Sequence, residues 1–298
     1  MKPVIKSINN SALCYQEDAP IHIRGYYNYC ASIIAKKLES TEVPVNVNFG
    51  RMNGSFDNDN ETINIDIQVE HTLVKQGGRG VTNIVHGETL TEEGDQYLVR
   101  LDDFNYFNTL DCIIEYSIPN INHIKTSGQF NDYANKLAYI APLLYDLKFP
   151  SQNRQDIITL FTDNPSERRT LFVNKMLENH INHININNCY SKELMDQYDK
   201  TKILINVHQT DHHHTFEELR VLPALLRGVL VISEDVPRKD DVPYSEYIIW
   251  SSYDNLAITI KEVRDNYKSH YNRIFNKDLK TLLKNMEEIN NKNLEIVL

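Results

Sequence analysis

The stretch KILINVHQTDHHHTFEELRVLPALLRGVLVISED, residues 202–235, reads as strand, polar loop, helix and strand in close succession. Residues 204–207 form an apolar run of strand length, 216–226 carry the apolar spacing of a helix, Gly228 stops that helix, and 229–232 form a second buried-strand run. A strand, a crossover helix and a second strand make a parallel pair. In an open parallel sheet ligands bind beyond the carboxyl ends of the strands, where a helix N-terminus presents unpaired N–H groups to an anion. The polar loop of this unit is therefore where chemistry is expected, with a phosphate-bearing ligand as the first candidate.

Working outward, the same alternation runs from about residue 155 to the end. DIITLF (156–161) is strand-like, SERRTLFVNKMLEN (166–179) is helical with Ser166 as N-cap, and 184–186 is a short strand. SKELMDQY (191–198) reads as a helix with Ser191 as its N-cap. Residues 248–249 form a last strand before the helical pattern of 254–267, and 279–289 an amphipathic helix. The series predicts a parallel sheet with helices on both faces.

The first half is less regular. Residues 26–38 look helical, 45–49 strand-like, and GRMNGSFDNDN (50–60) turn-rich. INIDIQVEHTLV (63–74) alternates as one strand, QGGRG (76–80) is a glycine-rich turn, and 97–102 and 112–116 are further strands. FPSQNRQ (149–155) is the best boundary. The expected architecture is α/β: two Rossmann-like domains facing across a cleft, the first irregular, with 1–150 on the acceptor side and 151–298 binding the donor.

Composition narrows the function. A formal charge of −10 opposes broad binding to nucleic acid or anionic membranes. The four cysteines, Cys14, Cys30, Cys112 and Cys189, show no CxxC pairing, so neither a disulfide framework nor a thiolate zinc site is suggested and a reducing, cytoplasmic compartment fits. No run approaches the ~20 apolar residues of a membrane span. Gly77, Gly78 and Gly80 match neither dinucleotide-binding nor P-loop spacing.

On its ordered motifs the second half resembles the donor-binding domain of GT-B glycosyltransferases, which use nucleotide sugars. The likeness covers roughly residues 157–260. It rests on Arg168, Arg169 and Lys175 after DIITLF, on INHININNCYSKEL with Asn188 to Tyr190 at the base-contacting loop, on the strand KILINVHQ, and on TFEELRVLPALLRGVLVISED, in which a helix runs to a glycine and a strand. EHTLV and IIEYSIPN are similar to phrases of uncharacterised sugar transferases from large DNA viruses, which would place the protein in host cytoplasm. The resemblance implies a UDP- or GDP-linked sugar as co-substrate, a glycan or other hydroxyl acceptor, no further cofactor and no catalytic metal. It implies that Arg168 or Arg169 with Lys175 holds the diphosphate and that Asn188 and Tyr190 lie at the base; from the residues themselves, His208 at the strand end, the helix start at Thr215 and Glu217, and Arg220 one turn further in are the other candidates to meet the donor. One departure stands out: counted back from Gly228, the family's two glutamates fall at Thr215 and Pro223, and the nearest acids are Glu217 and Glu218. Glu218 is taken as the carboxylate touching sugar, with retaining or inverting chemistry left open.

On the acceptor side His71, with Glu70 beside it, follows an alternating strand and has the pKa to accept a hydroxyl proton near neutrality. Asp102, Asp103 and Glu115 are rival carboxylates at strand ends. Blander readings exist for each: Glu217 and Glu218 complement a helix dipole, Arg220 pairs with an acid, and one of the adjacent Arg168 and Arg169 lies on a solvated face. Two other functions remain. A metal-dependent hydrolase would use His208, Asp211 and one of His212, His213 and His214, although consecutive histidines point in different directions, unlike a helical HExxH. A non-catalytic nucleotide-sugar binder would lack the acceptor-side base.

Overall fold

The computed structural model describes residues 4–15, 21–40, 42–49, 62–76, 85–92, 94–101, 104–149, 154–160, 166–210 and 214–298. The expected loop 50–60, the glycines Gly77, Gly78 and Gly80, the acids Asp102 and Asp103, and Asp211, His212 and His213 lie outside them, as do residues 150–153 of the expected boundary. The chain divides into two compact units, Met1–Leu144 with Lys284–Leu298, and Tyr145–Leu283. The last fifteen residues thus group with the first unit rather than with the rest of 151–298.

In the first unit β1 (Val4–Ile8) and β2 (Ser11–Tyr15) form an antiparallel hairpin, followed by helix α1 (Ile21–Leu38) and strand β3 (Val45–Phe49). Next come β4 (Ile63–Gln68), β5 (Leu73–Lys75), β6 (Val85–Glu92) and β7 (Asp95–Leu101), the short helix α2 (Phe104–Phe107), β8 (Cys112–Glu115), α3 (Ile118–Ser127), α4 (Asn131–Ala134) and β9 (Leu137–Tyr139). The larger sheet has the order β1-β2-β3-β4-β8-β9, parallel from β2 onward. Its strands follow chain order, so among the described residues it has no reversal point of the kind that defines a doubly wound Rossmann sheet. Between β4 and β8 the chain builds a small antiparallel sheet, β5-β7-β6. Leu73, Val99 and Leu101 of that sheet join Ile113, Ile124, Phe130 and Tyr133 in one core. Gly87 allows the close approach: a Cβ there would lie 2.7 Å from the Phe130 ring.

The single alternating strand expected over 63–74 is two strands in two sheets. The Gln68 side chain bonds both the N–H and, at 2.9 Å, the carbonyl of Glu70, turning the chain, and Thr72 Oγ1 donates to Asn120 at 2.8 Å. Burial does not follow the alternation: Ile65 to Gln68 are all buried, as are Leu73 and Val74, so both faces of each strand are covered.

The second unit contains β10 (Asp156–Thr159), α5 (Glu167–Glu178), β11 (Ile184–Asn185), α6 (Ser191–Tyr198), β12 (Thr201–Asn206), α7 (Glu218–Leu226), β13 (Leu230–Glu234), β14 (Ile248–Ser251), α8 (Leu256–Asp265) and α9 (Tyr267–Phe275). All five strands are parallel in the order β11-β10-β12-β13-β14. Strand order reverses between β10 and β12. Right-handed crossovers would put α5 on one face and α6 with α7 on the other; α6 contacts α7, and α8, which follows the last strand, contacts α5. The apolar runs sit where expected: Ile203, Leu204 and Ile205 of β12 and Leu230, Val231 and Ile232 of β13 are almost fully buried.

Three local expectations are corrected. The residue before α6 is Tyr190, with no side-chain cap, and Ser191 is the first helical residue with φ 53°. Helix α7 begins at Glu218 rather than Phe216, because Phe216 is spent on packing, 4.9 Å from the Trp250 ring. The terminal helix α10 (Leu279–Val297) runs eight residues past 289. Its end is held by polar contacts that an apolar stripe does not reveal: Asn290 bonds the N–H and carbonyl of Ala141 at 2.7 and 3.0 Å, and Asn293 the Tyr139 carbonyl at 2.7 Å.

Gly228 ends α7 as expected. Its φ is 65°, its N–H meets the Leu225 carbonyl at 2.8 Å and the Val229 N–H the Ala224 carbonyl at 3.0 Å, a left-handed helix stop. The buried Arg154 guanidinium caps the carbonyls of Arg227 and Gly228. A Cβ here would also lie 3.0 Å from Phe149. Gly228→Ala is expected to cost roughly 1–2 kcal/mol in a denaturant titration; no loss would mean that the stop relaxes freely.

Candidate functional site

The parallel register puts Thr159 level with Ile205, Asn206 with Ser233, and Glu234 with Ser251. The carboxyl ends of β10, β12, β13 and β14 therefore make one edge, and its reversal point lies between β10 and β12. Helix α5 starts there. Ser166 Oγ accepts the Arg169 N–H at 3.2 Å and donates to the Gln209 carbonyl at 2.5 Å, joining the helix start to the loop after β12.

Two polar residues close otherwise apolar strands on this edge. Asn206, fully buried, donates to Glu217 at 2.8 Å and to Ser233 Oγ at 3.0 Å, and accepts from Arg220 at 3.2 Å. Glu234 takes both terminal nitrogens of Arg168, one of them at 2.8 Å, and accepts the His208 N–H at 3.1 Å. Arg168 also donates to the His208 carbonyl at 3.2 Å and lies 3.8 Å from the centre of the Tyr253 ring, whose hydroxyl returns a 2.7 Å bond to the Arg168 carbonyl. This closed set of contacts ties the first turn of α5 to the starts of the loops after β12, β13 and β14.

The predicted donor residues divide accordingly. Arg168 serves as a clamp, not on a solvated face, since its guanidinium is spent on Glu234. Its neighbour Arg169 is buried, and its pKa is pushed down to about 10, first by burial and then by the charge of Arg220, against the pull of Glu217. Glu217 sits 3.8 Å from both Arg220 and His208 Nδ1. Among the described residues the guanidinium groups of Arg168, Arg169 and Arg220 gather at this edge with the carboxylates of Glu217 and Glu234. Crowded like charges of this kind favour a bound anion.

The remaining donor candidates lie around this core. Lys175, near the end of α5, pairs with Asp254 at 3.2 Å and lies 5.0 Å from the Tyr253 ring centre. Asn188 is exposed with φ 50°, and Tyr190 is half-buried, both in the loop after β11. Thr215 is buried just before α7. Glu218 is fully buried and accepts from the Tyr244 hydroxyl at 2.9 Å, while Glu217 is the acid that meets Asn206, His208 and Arg220. Asn206, Glu234 and Tyr253 escaped the sequence reading, although an Asn or Glu ending an apolar strand is a visible signal: a buried polar group needs a partner.

His208 is nearly fully buried, its ring centre 5.4 Å from that of His214 and tilted 36° to it. Burial disfavours its charged form, but Glu217 and then Glu234 outweigh both burial and the opposing charge of Arg168, so its pKa stands above the ordinary 6.5. A raised folded-state pKa contributes stability that is complete below the unfolded value and disappears as pH rises through the folded one. The stability difference between the protein and His208→Gln should therefore be complete below the unfolded-state value of about 6.5 and shrink as pH rises through that value and the higher folded one; a difference independent of pH would contradict the assignment. Among the described residues no group of three or more His, Cys, Asp or Glu is placed to hold a metal ion. Three members of the hydrolase cluster, Asp211, His212 and His213, lie outside them.

In the first unit Glu70 and His71 follow β4. Glu70 is 3.9 Å from Arg100, and His71 is half-buried. The rival Glu115, at the end of β8, is fully buried and accepts from Gln68 at 3.3 Å, the Ser117 N–H at 3.0 Å and Asn120 at 3.3 Å.

No family model matches the chain. An uncharacterised protein of Acanthamoeba polyphaga mimivirus is 26% identical over 197 residues, 64% of this chain and 69% of that protein. Among solved structures, TarM aligns with 83% of the chain at 12% identity and a TM-score of 0.42; the chain spans 55% of TarM, about half its length. The wall teichoic acid polymerase TagF aligns with 88% of the chain and 76% of its own at 11% identity and a TM-score of 0.35. No helix among the described residues is long and apolar enough to cross a membrane.

Proposed function

We propose that the protein is a glycosyltransferase that binds a nucleotide sugar, UDP- or GDP-linked, at the carboxyl edge of the second unit and transfers the sugar to a hydroxyl acceptor held by the first. The observation that supports this reading is the gathering of three guanidinium groups at the strand reversal point, where Arg168 and Arg220 both act on Arg169 beside the start of α5. Leaving-group charge in such a transfer develops on a diphosphate, and fixed cations in a partly desolvated site stabilise it without reorganising. These side chains supply the positive potential, so the reaction proposed is metal-independent. Glu217 replaces Glu218 as the carboxylate facing the donor, because it is the one among the cations. On the acceptor side His71 remains the proposed base with Glu70 as its neighbour. The protein would act in cytoplasm.

A thermal-shift panel of UDP, GDP, dTDP and CMP in EDTA tests the reading. A nucleoside diphosphate at 100 times its Kd should add ~2.7 kcal/mol to native-state stability. Stabilisation only with added divalent metal would refute metal independence, and no stabilisation by any nucleotide would refute donor binding.

A further inference from the structure

His208 has one nitrogen accounted for and one not. Nδ1 lies toward the Glu217 carboxylate at 3.8 Å, whereas Nε2 is buried and has no hydrogen-bond partner among the described residues. A carboxylate beside Nδ1 keeps a proton on that nitrogen, so the second proton of the charged ring must sit on Nε2. A buried N–H donor of a cation without an acceptor is costly, and an anionic oxygen is the partner that removes the cost.

We propose that His208 is a ligand-contacting residue whose Nε2–H donates to a phosphate oxygen of the bound nucleoside diphosphate, so that binding takes up a proton onto the ring. The inference rests on the nucleotide-sugar reading for the ligand's identity but not for its chemistry, which is that of a pyrophosphate. The groups acting on the ring come from each neighbouring element: Glu217 at the start of α7, Glu234 at the end of β13, Arg168 on α5, and His214 in the loop after β12. The two acids favour the charged ring and Arg168 opposes it. A bound phosphate adds a third negative charge and draws the proton in. In turn, the charged ring strengthens phosphate binding, because linkage is reciprocal.

Calorimetric titration of the full chain with UDP, and separately with inorganic pyrophosphate, decides it. The titrations are run near pH 6.5 and near pH 8.5, each in two buffers of different ionisation enthalpy. Comparison with His208→Gln subtracts the ligand's own titration. Expected are binding of both ligands with net proton uptake at the higher pH, loss of that uptake in His208→Gln, and affinity at the lower pH weaker by about ten- to a hundredfold in the variant. Should the variant not fold, the His208 ring shift in the intact protein, followed by NMR, must show its pKa rising on addition of pyrophosphate. Pyrophosphate binding with His208-dependent uptake but no UDP binding would uphold the inference and refute a UDP-linked donor. Binding without uptake, or uptake that persists in His208→Gln, would overturn the inference alone. Binding of neither ligand would overturn both.

Discussion

Glu234→Ala is expected to destabilise the protein by about 3 kcal/mol, the lower end of the range for removing one partner of a buried ion pair. The Glu234 side chain is 5% exposed and that of Arg168 16%, so the variant leaves a guanidinium and the His208 N–H in a largely dry site without their acceptor. Arg168→Ala should cost less, since a single carboxylate remains and keeps the His208 N–H. The two changes together should cost less than their sum, because the stranded charge is then absent. Denaturant titrations of the two single variants and the double variant test this. Strict additivity would show that Arg168 and Glu234 do not act as a pair.

The second large effect is on ligand affinity. Arg220→Ala is expected to weaken UDP binding by roughly ten- to a hundredfold, the scale of one charge-assisted hydrogen bond, and Arg169→Ala with Arg220→Ala by two orders of magnitude or more. Arg220 is the cleaner probe because its side chain is 27% exposed, whereas Arg169 is buried and its loss also disturbs the start of α5. Binding measured by calorimetry should fall at a temperature well below the unfolding midpoint of Arg220→Ala, which drops because the buried Asn206 Oδ1 loses its donor. Unchanged affinity in the double variant would remove the guanidinium cluster from the site.

The second unit was legible because its signals are local. An apolar run, a polar loop, an amphipathic stretch and a glycine at φ 65° each announce themselves within a few residues, and their order dictates a parallel sheet. Ser166 capped α5 as its sequence suggests, through the Arg169 N–H. What escaped depends on partners distant in the chain. Arg168 reads as a phosphate ligand until Glu234, 66 residues away, is seen to hold it. The pair Glu217 and Glu218 cannot be separated by spacing; Asn206 and Tyr244 separate them. In the first unit, the break between β4 and β5 was hidden because Gln68 turns the chain without a glycine or proline. The reversal-free strand order there was equally invisible, since alternation of strand and helix says nothing about which neighbour a strand joins.

The most direct test of donor binding at the carboxyl edge is a crystal structure of the full chain with UDP bound in the absence of divalent metal. The account predicts the diphosphate at the strand reversal point between β10 and β12, with an oxygen within hydrogen-bond distance of Arg169 or Arg220 and the start of α5 beside it. A diphosphate at the amino-terminal edge of that sheet, or one held only through a metal ion, would contradict it.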